Sequence, residues 1–421
     1  MIRKIQTSGP LHATVHVPGS KSITNRALIC ASLAAGESRI TGASDSDDTA
    51  LMVNGLNQLG VLVRTSGDSL IVEGKGGALY APKFPIPVGN AGTTLRFLLS
   101  LASLARGTTV LEGSERMGER PNEDLLAALR AQGIPVRHDQ GSARFEITGG
   151  TLAGGLVEIR SGSSSQFLSS LLLVAPYART AMTVAGEGGL SSASYLGLTL
   201  DVARHFGAEI DQSGLATFRV DNARRYAPAD LLVETDASGA SYPLAAAAIA
   251  GGEVFVPGAR EKSRQGDALF GAMLRSMGCT VTERADGVHV QGGPLRGISR
   301  DMNGTPDLVP TLAAAALFAE GPTHIANIGQ VRHKESNRLE RLAEELRRLG
   351  ADVRVHGEGM EIHPAPLHGA LLDPHDDHRL AMAFALIGLR VQGVEIENPD
   401  CVRKSFPGFW KEFDRMTGTA S

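Results

Sequence analysis

The chain has 421 residues, of which 42% are apolar, and it carries a formal net charge of -4. This length suffices for two or more domains with large cores, and the charge argues against a nucleic-acid-binding protein. The first residues contain no apolar signal region, and no apolar run reaches the roughly 18 residues that a membrane span needs. We therefore expect a cytoplasmic protein.

A unit of roughly 70 residues recurs six times along the chain. Each unit starts with a polar turn and continues as a helix of small and apolar residues. A strand, a second, amphipathic helix and a closing strand follow. The small-residue helices are apolar nearly all round, which predicts that they are buried. They are predicted to begin near Asn25, Thr94, Gln166, Ser241, Val309 and His378.

Six units divide into three and three, as α/β domains with helices sandwiched inside sheets. The sixth unit lacks a complete closing strand, whereas a strand at residues 13–17 is surplus to the first unit. We expect this strand to complete the last unit. The predicted domains are therefore residues 18–232, with repeats one to three, and residues 1–17 plus 233–421, with repeats four to six.

The turn at residues 18–26, Pro18-Gly19-Ser20-Lys21-Ser22-Ile23-Thr24-Asn25-Arg26, has the composition of an anion site at a helix start. Ser20 or Ser22 can cap the helix, and the first N–H groups, Lys21 and Arg26 then face an incoming anion. The alternative is a capped helix with two solvated cations. Recurrence of polar turns before the other buried helices favours the anion site.

Charged residues in these turns and in three further loops are of two kinds. A cationic lining for phosphates or carboxylates is predicted from Lys21, Arg96, Arg120, Lys334, Arg338, Arg379 and Lys404. Acids placed among these cations suit proton transfer, and they are Asp48, Asp236, Asp307 and Glu335. Asn90, Thr93 and Asp377 are further pocket candidates.

Three other interpretations of these stretches are weaker. The first turn lacks the spacing of a nucleotide-binding P-loop, and residues 163–165 lack the pattern of a nucleophilic serine. Residues 375–378 resemble a metal site, but two adjacent acids followed by Arg379 are more typical of a capped helix start. Cys30, Cys279 and Cys401 have no metal-ligand spacing and are interpreted as reduced thiols.

Several motifs together closely resemble the 5-enolpyruvylshikimate-3-phosphate synthase family of enolpyruvyl transferases, in order and over nearly the whole chain. They are Pro18-Gly19-Ser20-Lys21-Ser22 with Asn25-Arg26, Gly89-Asn90-Ala91-Gly92-Thr93 with Arg96, Arg120-Pro121, Ser164-Ser165-Gln166-Phe167, Lys334-Glu335 with Arg338, and Asp377-His378-Arg379. The resemblance implies two domains, each an inverse α/β barrel of three repeats with buried parallel helices inside sheets.

The resemblance also implies the activity. Shikimate 3-phosphate and phosphoenolpyruvate bind in the interdomain cleft and give enolpyruvylshikimate 3-phosphate and phosphate, on the route to chorismate and aromatic amino acids. The reaction is an addition followed by an elimination and needs no cofactor or metal. Asp307 is expected to act as base toward the 5-hydroxyl, with Glu335 and Lys21 exchanging protons at the methylene carbon.

The resemblance implies that the substrate-binding residues of the family lie at the matching positions of this chain. Shikimate 3-phosphate is expected at Lys21, Ser22, Arg26, Ser164, Ser165, Gln166, Ser192, Tyr195, Asp307, Gln330 and Lys334. Phosphoenolpyruvate is expected at Lys21, Gly92, Arg120, Gln166, Arg338, Arg379 and Lys404. Departures from the family are Gln330, where Asn is common, and Phe97, where many members have Pro or Leu. Gly92, rather than Ala, implies room for the competitive inhibitor glyphosate.

Two alternatives stay open at the sequence level. The sister enzyme that acts on UDP-N-acetylglucosamine carries a reactive Cys in the pocket loop, whereas no Cys lies between Gly89 and Arg120. A non-catalytic anion-binding homologue would gain nothing from Asp307 and Glu335 beside its ligand. We expect a monomer.

Overall fold

The computed structural model describes residues 1–160, 162, 164–188 and 192–419. The chain divides into a C-terminal unit, Met1–Pro18 with Glu234–Ser421, and an N-terminal unit, Gly19–Val233. Each unit has its own hydrophobic core. Cys30 and Cys279 are buried thiols, and Cys401 is partly buried.

In the N-terminal unit the helices are α1 (Lys21–Leu33), α2 (Asp47–Gln58), α3 (Gly92–Ala102), α4 (Glu115–Glu119), α5 (Glu123–Ala131), α6 (Gln166–Val174) and α7 (Ala193–His205). In the C-terminal unit they are α8 (Ala237–Ala250), α9 (Phe270–Met277), α10 (Val309–Ala316), α11 (Arg338–Arg348), α12 (His378–Gly388) and α13 (Phe409–Thr417). None of the helices in the described residues is long and apolar enough for a bilayer crossing.

The strands numbered first along the chain are β1 (Ile2–Lys4), β2 (Leu11–Thr14), β3 (Ala35–Thr41), β4 (Leu62–Ser66), β5 (Ser69–Lys75), β6 (Ile86–Gly89), β7 (Gly107–Gly113), β8 (Val136–Arg137), β9 (Arg144–Gly149), β10 (Gly155–Arg160), β11 (Met182–Glu187) and β12 (Ile210–Ser213). They continue with β13 (Thr217–Val220), β14 (Asp230–Leu232), β15 (Gly252–Pro257), β16 (Thr280–Arg284), β17 (Gly287–Gln291), β18 (Ser299–Asp301), β19 (Thr323–Ala326), β20 (Asp352–His356), β21 (Gly359–His363), β22 (Leu371–Leu372) and β23 (Glu395–Glu397).

The sheets repeat one pattern. In the order β14-β3-β5-β4, the first pair is parallel and the others are antiparallel, and the same pattern recurs in β6-β7-β9-β8, β10-β11-β13-β12, β2-β15-β17-β16 and β18-β19-β21-β20. The three-stranded sheet β22-β23-β1 has the parallel pair and one antiparallel neighbour.

Three helices occupy the middle of each unit. In the N-terminal unit α1, α3 and α6 pack against one another, as do α8, α10 and α12 in the C-terminal unit. Most of their residues are buried, because small and apolar side chains cover nearly their whole circumference. The predicted small-residue helices therefore form, and each lies inside its unit with sheets around it.

The prediction that the strand at residues 13–17 completes the last unit is wrong. The extended segment β2, which overlaps residues 13–17, pairs in parallel with β15 of the fourth repeat. The last sheet is completed instead by β1, at Ile2–Lys4, which pairs antiparallel with β23. Both segments are short and extended, and only pairing partners distinguish them.

Glycines lie just beyond the ends of the amphipathic helices α2 and α11. Gly60 follows the end of α2 with φ +92°, and Gly350 follows α11 with φ +87°. This left-handed conformation is costly for residues with a Cβ atom, and it turns the chain from the helix into the next strand.

Candidate active site

The start of α1 has the predicted capped form. The Ser20 hydroxyl accepts a hydrogen bond from the N–H of Ile23, and Lys21 is the first helical residue. The Lys21 ammonium donates to Asp48 Oδ2 at 2.8 Å, and only 12% of the Lys21 side chain is exposed. Asp48, in the first turn of α2, therefore orients the predicted catalytic lysine.

Arg26, one turn further along α1, lies inside the N-terminal unit. Its guanidinium donates to Thr199 Oγ1 at 2.7 Å, to the carbonyl of Ser22 at 2.9 Å and to the carbonyl of Tyr195 at 3.0 Å. Burial lowers the pKa of Arg26 to about 10. The predicted neighbours Ser22, Arg26 and Tyr195 are thus brought together, and Arg26 braces α1 against α7.

Arg96 and Gln166 are held side by side. The Arg96 guanidinium donates to Gln166 Oε1 at 2.6 Å and to Asn122 Oδ1 at 3.1 Å. The Gln166 amide then donates to Thr93 Oγ1 at 3.0 Å. Because Arg96 occupies the carbonyl oxygen, the orientation of the Gln166 amide is fixed with its nitrogen toward Thr93.

Arg120 packs on the first residue of α3, which is Gly92. The Arg120 guanidinium donates to the carbonyl of Asn90 at 2.9 Å and to its Oδ1 at 3.1 Å. A Cβ atom at Gly92 would lie 2.5 Å from Arg120 Nη2 and 2.8 Å from Cζ. The absent side chain of Gly92 therefore gives Arg120 its place at the helix start.

Three serines of the predicted phosphate site lie next to the starts of α6 and α7. The Ser164 hydroxyl accepts from the N–H of Gln166 at 3.2 Å, and Ser165 is the residue just before α6. Ser192 precedes α7 with φ +58° and is buried. Ser163 lies outside the described residues. Ser165 and Ser192 thus immediately precede two helices, the position at which proteins commonly bind anions.

Arg338 is the centre of the site in the C-terminal unit. It is the first residue of α11, fully buried, and its guanidinium contacts three carboxylates: Asp377 at 2.9 Å, Asp307 at 3.0 Å and Glu335 at 2.8 Å. Burial alone would lower the pKa of Arg338, but these carboxylates raise it above its ordinary value. Arg338 is a permanent cation that brings both predicted catalytic acids together.

Asp307 lies between three cations. Its carboxylate accepts from Arg338 and, at 2.8 Å, from Arg379, and the Lys334 ammonium lies 3.7 Å away. Burial favours protonation, but Arg379, Lys334 and Arg338 outweigh it and hold the pKa of Asp307 well below its ordinary range. Asp307 is therefore ionised at neutral pH.

Asp377 and Asp236 cap the buried helices. Asp377 accepts from the N–H of Arg379 at 3.0 Å at the start of α12, besides holding Arg338. Asp236 accepts from the N–H of Gly239 at 2.7 Å at the start of α8. These acids shape the helix starts, in agreement with the interpretation of residues 375–378 as a capped helix.

Gln330 and Lys404, like Asp307, lie in short 3-10 helices of the C-terminal unit. Gln330, in Gly329–His333, is buried and donates to the carbonyl of Asn303 at 3.3 Å. Lys404 is the last residue of Pro399–Lys404 and is half-buried.

Sequence reasoning missed several polar residues that support the site. Asp267 is buried and accepts a hydrogen bond from the Ser238 hydroxyl. Burial and the charge of Asp307 raise the pKa of Asp267 to about 6. Thr199 and Ser169, which contact Arg26, were also missed. No motif marks these positions, and only their burial beside charged groups does.

The site residues of the N-terminal unit and those of the C-terminal unit together define a class of protein. Each unit presents buried helices that begin among cations, hydroxyls and N–H donors, and the C-terminal unit adds three carboxylates on one arginine. In a repeat-built α/β protein, helix starts with cations are typical of anion sites, and carboxylates beside cations are typical of sites for proton transfer.

Comparisons with known proteins identify the class. The sequence model of EPSP synthase (3-phosphoshikimate 1-carboxyvinyltransferase) matches residues 5–413. The 3-phosphoshikimate 1-carboxyvinyltransferase of Methanoculleus marisnigri is 45% identical over 415 residues, 98% of each chain. That of Shewanella amazonensis is 42% identical over 421 residues, again 98% of each.

A solved structure of EPSP synthase from Acinetobacter baumannii superposes with a TM-score of 0.82 at 25% identity, over 99% of this chain and 98% of that one. The chain belongs to the EPSP synthase family. The predicted family and the predicted two-domain inverse α/β barrel fold are confirmed.

Proposed function

We propose that this chain transfers the enolpyruvyl group of phosphoenolpyruvate to the 5-hydroxyl of shikimate 3-phosphate and releases phosphate. The observation that carries the proposal is the pair of carboxylates, Asp307 and Glu335, on the buried guanidinium of Arg338. Arg379 and Lys334 beside them supply charge for anionic substrates. An anion-binding protein without catalysis has no need of acids in that position.

In the addition step, the 5-hydroxyl oxygen bonds to C2 of phosphoenolpyruvate while the methylene carbon takes a proton. In the elimination step, the tetrahedral intermediate loses phosphate and gives up a methyl proton to restore the double bond. Asp307 accepts the hydroxyl proton, and Glu335 and Lys21 exchange the carbon-bound proton. The cations stabilise the departing phosphate.

The charge state of Asp307 depends on its neighbours. Arg379, Lys334 and Arg338 hold its pKa low. Anionic substrates that engage Arg379 and Lys334 would weaken that hold, and the pKa of Asp307 would rise toward the range of an effective base. Substrate binding thereby activates the base that the reaction needs.

The proposed substrate sites draw on both units. Shikimate 3-phosphate uses Ser164, Ser165 and Lys334 for its phosphate, with Ser22, Arg26, Gln166, Ser192, Tyr195, Asp307 and Gln330 around the rest. Phosphoenolpyruvate uses Lys21, Gly92, Arg120, Gln166, Arg338, Arg379 and Lys404. Glyphosate is proposed to compete at this second site, and undiminished activity at high glyphosate and low phosphoenolpyruvate would contradict it. We also propose that the protein is a monomer in the cytoplasm.

The test is release of phosphate from shikimate 3-phosphate plus phosphoenolpyruvate, without added metal. Phosphate is expected only with both substrates. Lys21→Met and Glu335→Gln are expected to lower kcat about 100-fold or more, the usual effect of losing a general acid or base.

Lys83→Met is the matched control, because Lys83 is an exposed lysine of the same unit as Lys21. Its rate is expected to equal that of the unsubstituted protein. If shikimate 3-phosphate binds but no phosphate is released, the chain is a binder and the proposed activity is wrong.

A further inference from the structure

A cluster of metal-ligating side chains lies in the C-terminal unit outside the residues assigned to the reaction. Glu344 and Glu345 belong to α11, and His375 belongs to the loop before α12. One ligand atom from each lies within 4.8 Å of the other two. The cluster contains an imidazole as well as carboxylates, so it differs from an ordinary acidic surface patch.

Glu345 is fully buried and has one oxygen aimed into the cluster. Its Oε2 accepts from the N–H of Asp373 at 3.0 Å. Its Oε1 receives no hydrogen bond within the described part of the chain. The nitrogen atoms that face Oε1 are His375 Nε2 at 3.5 Å and Arg348 Nε at 3.6 Å. A buried carboxylate oxygen in this state is costly, and a bound cation would satisfy it.

His375 is oriented as a metal ligand. Its backbone N–H donates to Asp373 Oδ1 at 2.7 Å, and its ring Nδ1 lies 3.3 Å from Asp373 Oδ2. The other ring nitrogen, Nε2, faces Glu345. Metal-bound histidines commonly ligate through one nitrogen and give the other to a carboxylate, which fixes the ring. Asp373 is placed to be that outer carboxylate.

The spacing of the two inner atoms matches a tetrahedral ion. Ligands at about 2.0–2.2 Å from zinc are separated by about 3.3–3.6 Å when the angle is tetrahedral. His375 Nε2 and Glu345 Oε1 lie 3.5 Å apart. Glu344 is 47% exposed and contacts Arg341 at 2.8 Å, so its carboxylate is the ligand on the solvent side.

We propose that Glu344, Glu345 and His375 bind a zinc-like divalent cation, with water as the remaining ligand. An imidazole in the ligand set favours zinc over magnesium or calcium. The ion would join α11 to the loop that leads to Asp377, the cap of α12. Of residues 375–378, only His375 is a ligand of the proposed cation. The other two ligands, Glu344 and Glu345, lie on α11, so no short sequence motif contains the whole set.

The test is equilibrium dialysis of chelator-treated protein against Zn²⁺, with metal content measured per chain and Mg²⁺ as the comparison ion. We expect one zinc per chain and a raised melting temperature with zinc. Glu344→Gln and His375→Asn are each expected to weaken zinc binding at least tenfold. Asn suits position 375 because it tolerates the φ of +52° that His375 adopts.

Glu361→Gln is the matched control. Glu361 is a surface carboxylate with His324 at 3.2 Å and His363 at 3.3 Å, so it forms a second imidazole–carboxylate group in the same unit. Its substitution is expected to leave the tight zinc unchanged. Zinc lost from Glu361→Gln but kept by Glu344→Gln, equal binding of Mg²⁺, or no bound zinc at all would each overturn the proposal. Circular dichroism without zinc verifies that the variants fold.

Discussion

Gly92 controls the position of Arg120 at the start of α3. A Cβ atom there would lie 2.5 Å from the guanidinium, which must then move away from Asn90. A hydrogen bond to a charged group contributes about 1.5–3 kcal/mol, so we expect Gly92→Ala to raise KM for phosphoenolpyruvate about 10- to 100-fold. Steady-state kinetics with varied phosphoenolpyruvate measure the effect.

Gly150→Ala is the control for this substitution. Nothing lies within 4 Å of a Cβ atom at Gly150, and its φ is not positive. Its KM values are expected to be unchanged. An unaltered KM for phosphoenolpyruvate in Gly92→Ala would mean that Arg120 does not contact this substrate.

Asp267 gives a pH dependence of stability. Burial and Asp307 raise its pKa to about 6 from an ordinary value near 3.8, so the folded state holds this proton more tightly than the unfolded chain. The group therefore destabilises the fold increasingly from about pH 4 to pH 6 and fully above that. A difference of about 2 pKa values corresponds to about 3 kcal/mol.

We expect Asp267→Asn to remove this pH-dependent penalty while its amide oxygen still accepts from Ser238. Relative to the unsubstituted protein, the variant should gain about 3 kcal/mol more in free energy of unfolding at pH 8 than at pH 4. Urea denaturation at the two pH values is the measurement. Equal differences at both would show that folding does not raise the pKa of Asp267.

At this scale the sequence predicts the charged residues but not their partners. Lys21, Arg338 and Asp307 stand out because charged residues are rarely buried, and these three lie near helices that the sequence predicts to be buried. That Lys21 pairs with Asp48, or that Arg26 is buried against Thr199, depends on which helices become neighbours. Asp267 shows the limit most clearly, because nothing adjacent to it in the chain marks it as buried.

Helices α11 and α12 are joined by Asp377, which both caps α12 and holds Arg338. Asp377 and Arg338 are both fully buried. Removing one partner of a buried ion pair typically costs about 3–5 kcal/mol, and the lower end applies here because Arg338 keeps Asp307 and Glu335. Because Asn also caps helices well, Asp377→Asn isolates the ionic contribution. We expect it to lower the free energy of unfolding by about 3 kcal/mol, measured by urea denaturation.

Asp352→Asn is the matched surface control. Asp352 and Arg354 form a pair of the same residue types at 2.9 Å, but both side chains are well exposed. Exposed ion pairs contribute little, so the free energy of unfolding should change by less than about 1 kcal/mol. Similar losses in the two variants would show that burial does not set the strength of the Asp377–Arg338 pair.

The buried helices could be predicted from the sequence, whereas the sheets that the two short N-terminal strands join could not. A helix of small and apolar residues has few alternatives to burial, and Gly at its amphipathic neighbour's end fixes the turn. The segments Ile2–Lys4 and Leu11–Thr14 are three and four residues long. Their pairing with β23 and β15 depends on sheet edges that form far away in the chain.

At the scale of the whole molecule, the predicted ligands are divided between two units, each with its own hydrophobic core. Lys21, Arg120 and Gln166 belong to the N-terminal unit, whereas Asp307, Arg338 and Arg379 belong to the C-terminal unit. The chain crosses between the units after Pro18 and after Val233. Neither unit has all of the proposed ligands, so the proposed activity needs a chain in which both units are folded.

Dependence on both units can be measured by replacing one cation in each. Arg120→Gln in the N-terminal unit and Arg379→Gln in the C-terminal unit are each expected to raise KM for phosphoenolpyruvate about 10- to 100-fold, because each removes a hydrogen bond to a charged group that contributes about 1.5–3 kcal/mol. Steady-state kinetics with varied phosphoenolpyruvate measure the effect. A KM that rises in only one of the two variants would mean that phosphoenolpyruvate is held by the cations of one unit alone.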